Sequence, residues 1–151
     1  MAINIFISMQ HKQPLQIRWA DLDPNIHVRH SVYYDWGAFC RINYFHKQGI
    51  TTDTLREMNI GPVLLREECV FRKEIKLGDS VDIDLFLAKA TNDFTRWTIR
   101  HTIRKNEGVV AAVLTVDGTW IDMNQRKITV PPKELQQLFA SMAQDAAFEW
   151  I

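Results

Sequence analysis

The chain has 151 residues, a length typical of one domain with one hydrophobic core. Hydrophobic residues make up 46% of it and charged residues 24%, which excludes a disordered or collagen-like chain. Eighteen basic residues balance eighteen acidic ones, so the positive excess of a nucleic-acid-binding domain is absent from the sequence.

Several sequence features bear on where the protein works. No apolar run approaches the roughly 18 residues of a membrane span. The apolar start, residues 1–10, lacks the basic region and cleavage site of a leader peptide. Cys40 and Cys69 lack metal-ligand spacing, and we expect both to be reduced and buried. The sequence therefore predicts a cytoplasmic protein with no membrane or nucleic-acid partner.

The first part of the chain predicts a strand, a polar loop and a buried helix. Residues 15–20 form a short strand, and residues 21–25 carry the Asp, Pro and Asn of a turn. Ser31 is a suitable N-cap for a helix over residues 31–48, which Gly49 ends. This helix is apolar on most sides, as core helices are. The aromatic residues expected in the core are Trp36, Phe39, Tyr44 and Phe45.

The rest of the chain predicts a short helix, four strands and a terminal helix. The short helix covers residues 52–58, and the strands cover residues 63–75, 80–90, 94–105 and 109–123. Apolar and polar side chains alternate over residues 81–85, as in a sheet with one buried face. An amphipathic helix over residues 133–150 completes the chain. The fold class is α+β, with a long antiparallel sheet wrapped around the buried helix, in a single domain over residues 1–151.

The loop before the buried helix holds most of the reactive side chains. Residues 21–30 contain two carboxylates, an amide, two imidazoles and a guanidinium, next to a helix N-terminus with free backbone N–H groups. A carboxylate attacks a carbonyl or activates water, histidine moves protons near neutral pH, and N–H groups stabilise an oxyanion. This mixture suits acyl transfer. The candidate catalytic residues are Asp23, Asn25, His27 and His30.

The segment RWADLDPNIHVRHSVY, residues 18–33, resembles the signature of hotdog-fold thioesterases of the 4-hydroxybenzoyl-CoA type. The likeness extends through the helix and the following hairpin to Met123. The resemblance implies a hotdog fold and hydrolysis of an acyl-CoA or acyl-carrier-protein thioester. It also implies a homodimer or homotetramer with the active site where two protomers meet. No metal or cofactor is implied, because coenzyme A enters as part of the substrate.

The resemblance assigns roles within the loop. In the 4-hydroxybenzoyl-CoA subgroup the second acid of D-x-D is the catalytic carboxylate, which implies that Asp23 acts as nucleophile or general base. His30 matches a histidine of related bacterial enzymes, whereas Asn25 and His27 match the D-x-N-x-H pattern of plant acyl-carrier-protein thioesterases. Ile26 stands where glycine often precedes the histidine. Asp21 is expected to support the turn.

Substrate-binding residues are expected on both sides of the loop. Tyr33 occupies the aromatic position of the motif, and Arg29 is a candidate for a substrate phosphate. The basic cluster that binds the CoA nucleotide in the 4-hydroxybenzoyl-CoA enzymes is not reproduced near residues 92–93, which leaves Lys89, Arg96 and Lys105 as candidates.

Two alternatives stay open at this point. A hotdog hydratase or dehydratase carries a similar acid and histidine, typically spaced D-x-N-x-x-H, one residue longer than the spacing here. An acyl-CoA-binding module would hold the same ligand without cleaving it. The pair Glu67 and Glu68 suggests a second acid, but a polar strand face explains it equally well.

Overall fold

The computed structural model describes residues 10–151. The expectation that the start of the chain is not a leader peptide concerns residues 1–9, which lie outside the described residues. The chain forms seven strands and three α-helices over this range. In chain order they are β1 (His11–Leu15), α1 (His30–Lys47), α2 (Thr52–Glu57), β2 (Ile60–Phe71), β3 (Val81–Ala90), β4 (Arg96–Lys105), β5 (Val109–Asp122), β6 (Lys127–Ile128), α3 (Lys133–Ser141) and β7 (Gln144–Trp150).

The strands form one sheet in the order β1-β3-β4-β5-β2. Neighbouring strands along this path are antiparallel, which confirms the hairpins predicted at residues 91–93 and 106–108. The hairpin predicted at residues 77–79 is wrong, because β2 pairs with β5 and not with β3. The edge of β3 away from β4 is covered twice: β1 pairs with Val81–Leu85 and β7 pairs in parallel with the later residues. Among the residues described, β2 is paired on one side only, with β5. None of the helices found in residues 10–151 is long and apolar enough to cross a membrane.

Helix α1 lies across the inner face of the sheet, as predicted. A backbone without a side chain at Gly37 allows close contact, because a Cβ there would lie 2.2 Å from Leu114 Cδ2 on β5. The helix buries one face rather than most of its circumference, and Phe39, expected in the core, is 54% exposed. The buried positions of α1 are Val32, Tyr33, Trp36, Gly37, Cys40, Arg41, Tyr44 and Phe45.

Three predicted elements are wrong or shifted. The first strand covers residues 11–15 instead of 15–20, and Trp19–Asp21 forms a 3-10 turn. The terminal helix ends at Ser141, because Met142 is extended and the chain continues as β7 along β3. The predicted strand over residues 63–75 is shifted earlier in the chain, to Ile60–Phe71. Both cysteines are free as expected, but only Cys40 is fully buried.

A polar network lies inside the interface between α1 and the sheet. Arg41 Nη1 lies 3.1 Å from His101 Nε2, and His101 Nδ1 lies 2.8 Å from the carbonyl oxygen of Asp84. Arginine only donates, so His101 accepts from Arg41 through Nε2 and donates to Asp84 through Nδ1. Burial, together with the nearby Arg41 charge, lowers the pKa of His101 to about 3. His101 is therefore a neutral imidazole in the folded protein.

This neutral imidazole makes stability depend on pH. The pKa of His101 is lower in the folded state than its ordinary value of 6.5, so acid protonates the unfolded chain first. The contribution of neutral His101 to the free energy of unfolding should be fully present above pH 6.5. It should fall as the pH drops toward 3, by up to about 1.4 kcal/mol per pH unit. We expect His101→Gln, which still offers Arg41 an acceptor, to flatten this slope between pH 6.5 and 4.5. Urea unfolding at each pH measures it, and equal slopes in the two proteins would contradict the assignment.

Candidate functional site

The segment from Asp21 to His30 forms a tight loop closed by its own backbone. Asp23 N donates to His27 O at 2.8 Å and Ile26 N donates to Asp23 O at 2.9 Å. Leu22 and Val28 form an isolated bridge, and Val28 N donates to Ile75 O at 2.8 Å. The loop is thus attached to the chain between β2 and β3 at one end of the sheet.

The Asp23 carboxylate is fixed inside this loop. Its Oδ1 accepts hydrogen bonds from Asn25 N at 2.9 Å and His27 N at 3.1 Å. Within residues 10–151 no hydrogen bond reaches its Oδ2, and the residue is half-buried. One carboxylate oxygen therefore holds the loop together while the other stays free to contact a ligand.

Ile26 has a strained backbone at the tip of the loop. Its φ is 63°, in the left-handed region that glycine adopts at little cost and a β-branched residue rarely enters. This conformation explains physically why glycine is common at the equivalent position of the motif. The loop keeps its shape here without glycine.

The two charged neighbours of Asp23 support the loop. The buried Asp21 carboxylate accepts from the Arg18 guanidinium, with Nη2 to Oδ1 at 2.7 Å, and this hydrogen bond lowers the pKa of Asp21. Asp21 thus has the turn-supporting contacts that the sequence predicts. The guanidinium of Arg29, a candidate for substrate binding, donates to Ala20 O and, through Nε, to Ser31 Oγ at 3.1 Å. Ser31 is not the N-cap as predicted, since α1 begins at His30 with Arg29 in the cap position.

The other predicted catalytic residues, Asn25, His27 and His30, differ in how exposed they are. His27 is half-buried, and its Nε2 lies 3.9 Å from Glu74 Oε1. His30 is the exposed first residue of α1. The side chain of Asn25 is exposed, whereas its backbone N–H holds Asp23. Backbone hydrogen bonds therefore join Asn25 and His27 to Asp23, and His30 follows where the loop enters α1.

Tyr33 lies one turn into α1 beneath the loop. Its ring contacts Phe71 edge-on, with centroids 5.0 Å apart, and packs against Trp36. Burial raises the pKa of Tyr33 to about 12, with further contributions from the nearby Cys69 and Asp23. The phenol is protonated at neutral pH and can donate a hydrogen bond. Burial also raises the pKa of Cys69 to about 11, so this thiol is a poor nucleophile.

Lys89 and Arg96 lie far from Asp23 in one protomer. The loop packs where β3 begins, whereas Lys89 is eight residues further along β3, roughly 26 Å away at strand spacing. Lys89 and Arg96 line a cleft of about 400 Å³ together with Arg66 and Arg100. Lys89 Nζ pairs with Glu149 Oε1 at 2.6 Å. The third candidate, Lys105, is held by Glu74 O at 2.5 Å and by Asp79.

Sequence reasoning missed a second group of polar residues. Arg41 and Trp97 line a smaller apolar cavity of about 190 Å³ between α1, α2 and the sheet. Glu67, interpreted as part of a polar strand face, points inward, and its Oε1 lies 3.8 Å from Arg41 Nη2. The signal that could have revealed this group is His101, which occupies an inward position of β4 between Ile99 and Ile103.

No metal site is evident around the loop. In the part of the chain that the structure describes, no group of three or more His, Cys, Asp or Glu side chains is arranged to hold a metal ion. The loop and the start of α1 supply a carboxylate, imidazoles, a phenol and backbone N–H groups.

Solved structures of similar shape are hotdog-fold proteins. A Staphylococcus aureus protein in complex with CoA has a TM-score of 0.80 at 15% identity, covering 91% of this chain and 89% of that one. A DHNA-CoA thioesterase from Staphylococcus aureus has a TM-score of 0.78 at 16% identity, covering 87% and 89%. A Thermus thermophilus thioesterase complexed with coenzyme A and Zn has a TM-score of 0.72 at 24% identity, covering 86% and 91%.

These structures confirm the predicted hotdog fold, in which a curled antiparallel sheet holds the central helix. No curated protein sequence matches the chain. The sequence profile of the thioesterase-like superfamily matches residues 17–139, which include the Asp23 loop, α1 and the sheet from β2 to β6. The chain belongs to the thioesterase-like superfamily.

Proposed function

We propose that the protein hydrolyses acyl-CoA thioesters and that the Asp23 carboxylate is the reacting group. The observation that carries this proposal is the geometry of that carboxylate. Two backbone N–H groups fix Oδ1, and no donor among the described residues 10–151 reaches Oδ2 at the entrance to α1. Membership of the thioesterase-like superfamily supports the reaction, and CoA in two structures of similar shape supports the substrate class.

The reaction has two balanced forms. As a nucleophile, Asp23 Oδ2 attacks the thioester carbonyl, the C–S bond breaks, CoA leaves as the thiol after taking a proton, and water then cleaves the mixed anhydride. As a general base, Asp23 takes a proton from water while the water oxygen attacks the same carbon; the C–S bond then breaks and CoA leaves as the thiol after taking a proton. Both forms yield a free acid and CoA. Backbone N–H groups in the first turn of α1 stabilise the oxyanion.

Two imidazoles and an amide complete the proposed site. His27 is adjacent to Asp23 through the backbone hydrogen bond and is partly exposed, so it can deliver a proton to the leaving thiolate. His30 is exposed at the first turn of α1 and is a second proton donor. Asn25 contributes its backbone N–H to the carboxylate and presents its side-chain amide to the substrate.

We also propose that two protomers form the site by pairing their β2 edges. On β2 the side chains of Leu64, Leu65, Val70 and Phe71 are between 44% and 51% exposed. An unpaired strand edge with apolar side chains favours pairing with another strand. Antiparallel pairing of two β2 strands would bring the Phe71 end of one protomer, next to Tyr33, to the Ile60 end of its partner.

We therefore expect a homodimer or a homotetramer built from two dimers in solution. Light scattering on the native protein should give at least twice the monomer mass. The double variant Leu65→Lys with Val70→Lys should give monomers, because lysines on a strand edge oppose pairing. Val130→Lys, at an exposed apolar position outside the sheet, is the matched control and should keep the native mass. A native monomer at micromolar concentration would contradict the shared site.

The proposed dimer gives a role to Arg96 and Lys89. Arg96, Thr119 and Val63 lie in one row across β4, β5 and β2, at the end of the sheet that faces the partner's Asp23 loop after antiparallel pairing. We propose that Arg96 and Lys89 of one protomer contact the CoA phosphates of a substrate cleaved by its partner. Arg96 is the stronger candidate, because Lys89 is already paired with Glu149.

A truncated substrate tests this role. Arg96→Ala should raise KM for an acyl-CoA by about 10-fold, the scale of one lost charged hydrogen bond, with kcat little changed. For the matching N-acetylcysteamine thioester, which lacks the nucleotide, KM should not change. Steady-state kinetics with free-thiol detection gives both values. An equal effect on both thioesters would show that Arg96 acts through the fold and not on the nucleotide.

Asp23→Asn is the central test of the function. The substitution keeps the shape and an oxygen that accepts from the two N–H groups, but it removes the charge. We expect kcat to fall by on the order of 10²–10⁴, the range that general-base catalysis supplies, while binding of a non-hydrolysable acyl-CoA survives. Thiol release over a panel of short, long and aromatic acyl-CoAs measures the rate.

The matched control for this test is Asp21→Asn. It should retain most of the rate and lower the melting temperature, because it removes the charge with which the buried Asp21 carboxylate pairs with the exposed Arg18 guanidinium. If Asp23→Asn retains near-native turnover, the carboxylate is a turn residue and the proposed mechanism fails. If the native protein binds acyl-CoA without releasing thiol, the binding-module alternative replaces hydrolysis. Loss of the C=C absorbance of an enoyl-CoA without release of thiol would favour the hydratase alternative.

A further inference from the structure

The indole of Trp19 is exposed just before the Asp23 loop. The residue is 79% exposed, the largest value among the large hydrophobic residues that the structure describes. Tryptophan is highly buried on average, and in protein–protein interfaces it is enriched among the residues that carry most of the binding energy. Trp19 therefore has the character of an interface residue that a single protomer leaves uncovered.

The backbone beneath Trp19 is held on both sides. Trp19 begins the 3-10 turn Trp19–Asp21, in which the Arg18 guanidinium binds Asp21 Oδ1 at 2.7 Å. The Arg29 guanidinium donates to the carbonyl oxygen of Ala20, the next residue of the same turn. Because the turn is already fixed, a partner that covers the indole orders little additional chain.

A groove that can accept an indole lies next to this turn. It has a volume of about 400 Å³ and runs between the end of β1 and the first half of α1. The volume is more than twice the roughly 150 Å³ that accommodates benzene, so an indole, which has one more fused ring, fits. The apolar part of its wall consists of Pro14, Leu15, Trp36 and Phe39.

The polar part of the groove carries both signs of charge. Arg18 and Asp35 line it together with Gln16. When Trp19 of one protomer enters the groove of another, the adjoining Arg18 moves toward Asp35 of the partner, and a twofold axis repeats the contact in the other direction. Gln16 and Asp35 also offer acceptors to the indole N–H, which needs one when it is buried. The face is therefore complementary to a second copy of itself.

This face is separate from the β2 edge that pairs in the proposed dimer. The groove lies beside β1, at the opposite end of the strand order from β2. A twofold axis that joins two antiparallel β2 strands in one continuous sheet runs perpendicular to that sheet, so both α1 helices lie on the same face of the dimer. Each dimer therefore presents two Trp19 side chains and two grooves on one side.

The buried area decides which assembly this face can hold. An aromatic side chain buries roughly 150–250 Å², so two indoles and the groove walls that they cover bury on the order of 500–800 Å² in one contact. A single contact of this size is below the roughly 1,000 Å² that a stable interface needs. Two contacts made together by a pair of dimers reach the size of a standard interface.

We propose that this face binds a second copy of the protein, with the Trp19 indole of each protomer inserted between β1 and α1 of a protomer from another dimer. The assembly is a tetramer of two β2-paired dimers whose α1 faces meet. The proposal rests on the proposed β2 dimer and does not depend on thioester hydrolysis.

The test is light scattering on three proteins at tens of micromolar. The native protein should have four times the monomer mass, and Trp19→Ser should have twice that mass. The control Trp150→Ser removes another exposed indole, on β7, and should keep the native mass. Phe39→Arg places a cation in the groove where Arg18 of the partner approaches, so it should also give dimers. If Phe39→Arg does not fold, Trp19→Ser alone decides.

The outcomes separate this face from the β2 edge. The variant Leu65→Lys with Val70→Lys should be a monomer, because one Trp19 contact is too small to hold two protomers. A native dimer that Trp19→Ser leaves intact overturns this proposal and leaves the β2 dimer standing. A tetramer that survives both Trp19→Ser and Phe39→Arg overturns the role of this face.

Three further results are equally decisive. A native dimer that Trp19→Ser dissociates, and that the β2 variant does not, supports this face and overturns the β2 pairing. A native monomer overturns both contacts. If Trp19→Ser leaves the mass unchanged but raises KM for an acyl-CoA, the groove holds substrate and a second copy is not its occupant.

Discussion

The contact between α1 and the sheet is the constraint on which the rest of the molecule depends. At Gly37 the helix backbone approaches Leu114 closely enough that no side chain fits between them. This contact fixes where α1 starts, and hence where the Asp23 loop meets the chain near Ile75. It also fixes the space on the other side of the helix, where Arg41 faces the cavity. The loop and the cavity are two consequences of one packing arrangement.

The sheet was predictable from the sequence because its signal is local. Alternation of apolar and polar side chains, with glycine and asparagine turns, located β3, β4 and β5 within a few residues. The terminal segment was not predictable in this way. Residues 133–150 have helical spacing, but the open edge of β3 beyond β1 offers backbone partners to residues 144–150. Pairing with β3 determines that residues 144–150 form a strand, and the periodicity of a sequence does not show which strand edges are free.

The candidate site also has a part that is local in sequence and a part that is not. Its loop was predictable because Asp23, Asn25 and His27 are close in sequence and the turn brings their backbones together. The cluster of Arg41, Glu67 and His101 comes from a helix and two strands that are distant in sequence, so no local pattern marked it. The sequence signal of such clusters is a polar residue at an inward position of an otherwise apolar element.

Ile26 has a consequence for how this loop can change over evolutionary time. A left-handed φ of 63° at a non-glycine residue stores about 1–2 kcal/mol of backbone strain, paid for by contacts elsewhere. Replacement by glycine would release that energy and also widen the range of conformations open to the loop that carries Asp23. Selection for a stable chain and selection for a rigid carboxylate therefore act in opposite directions at this one position.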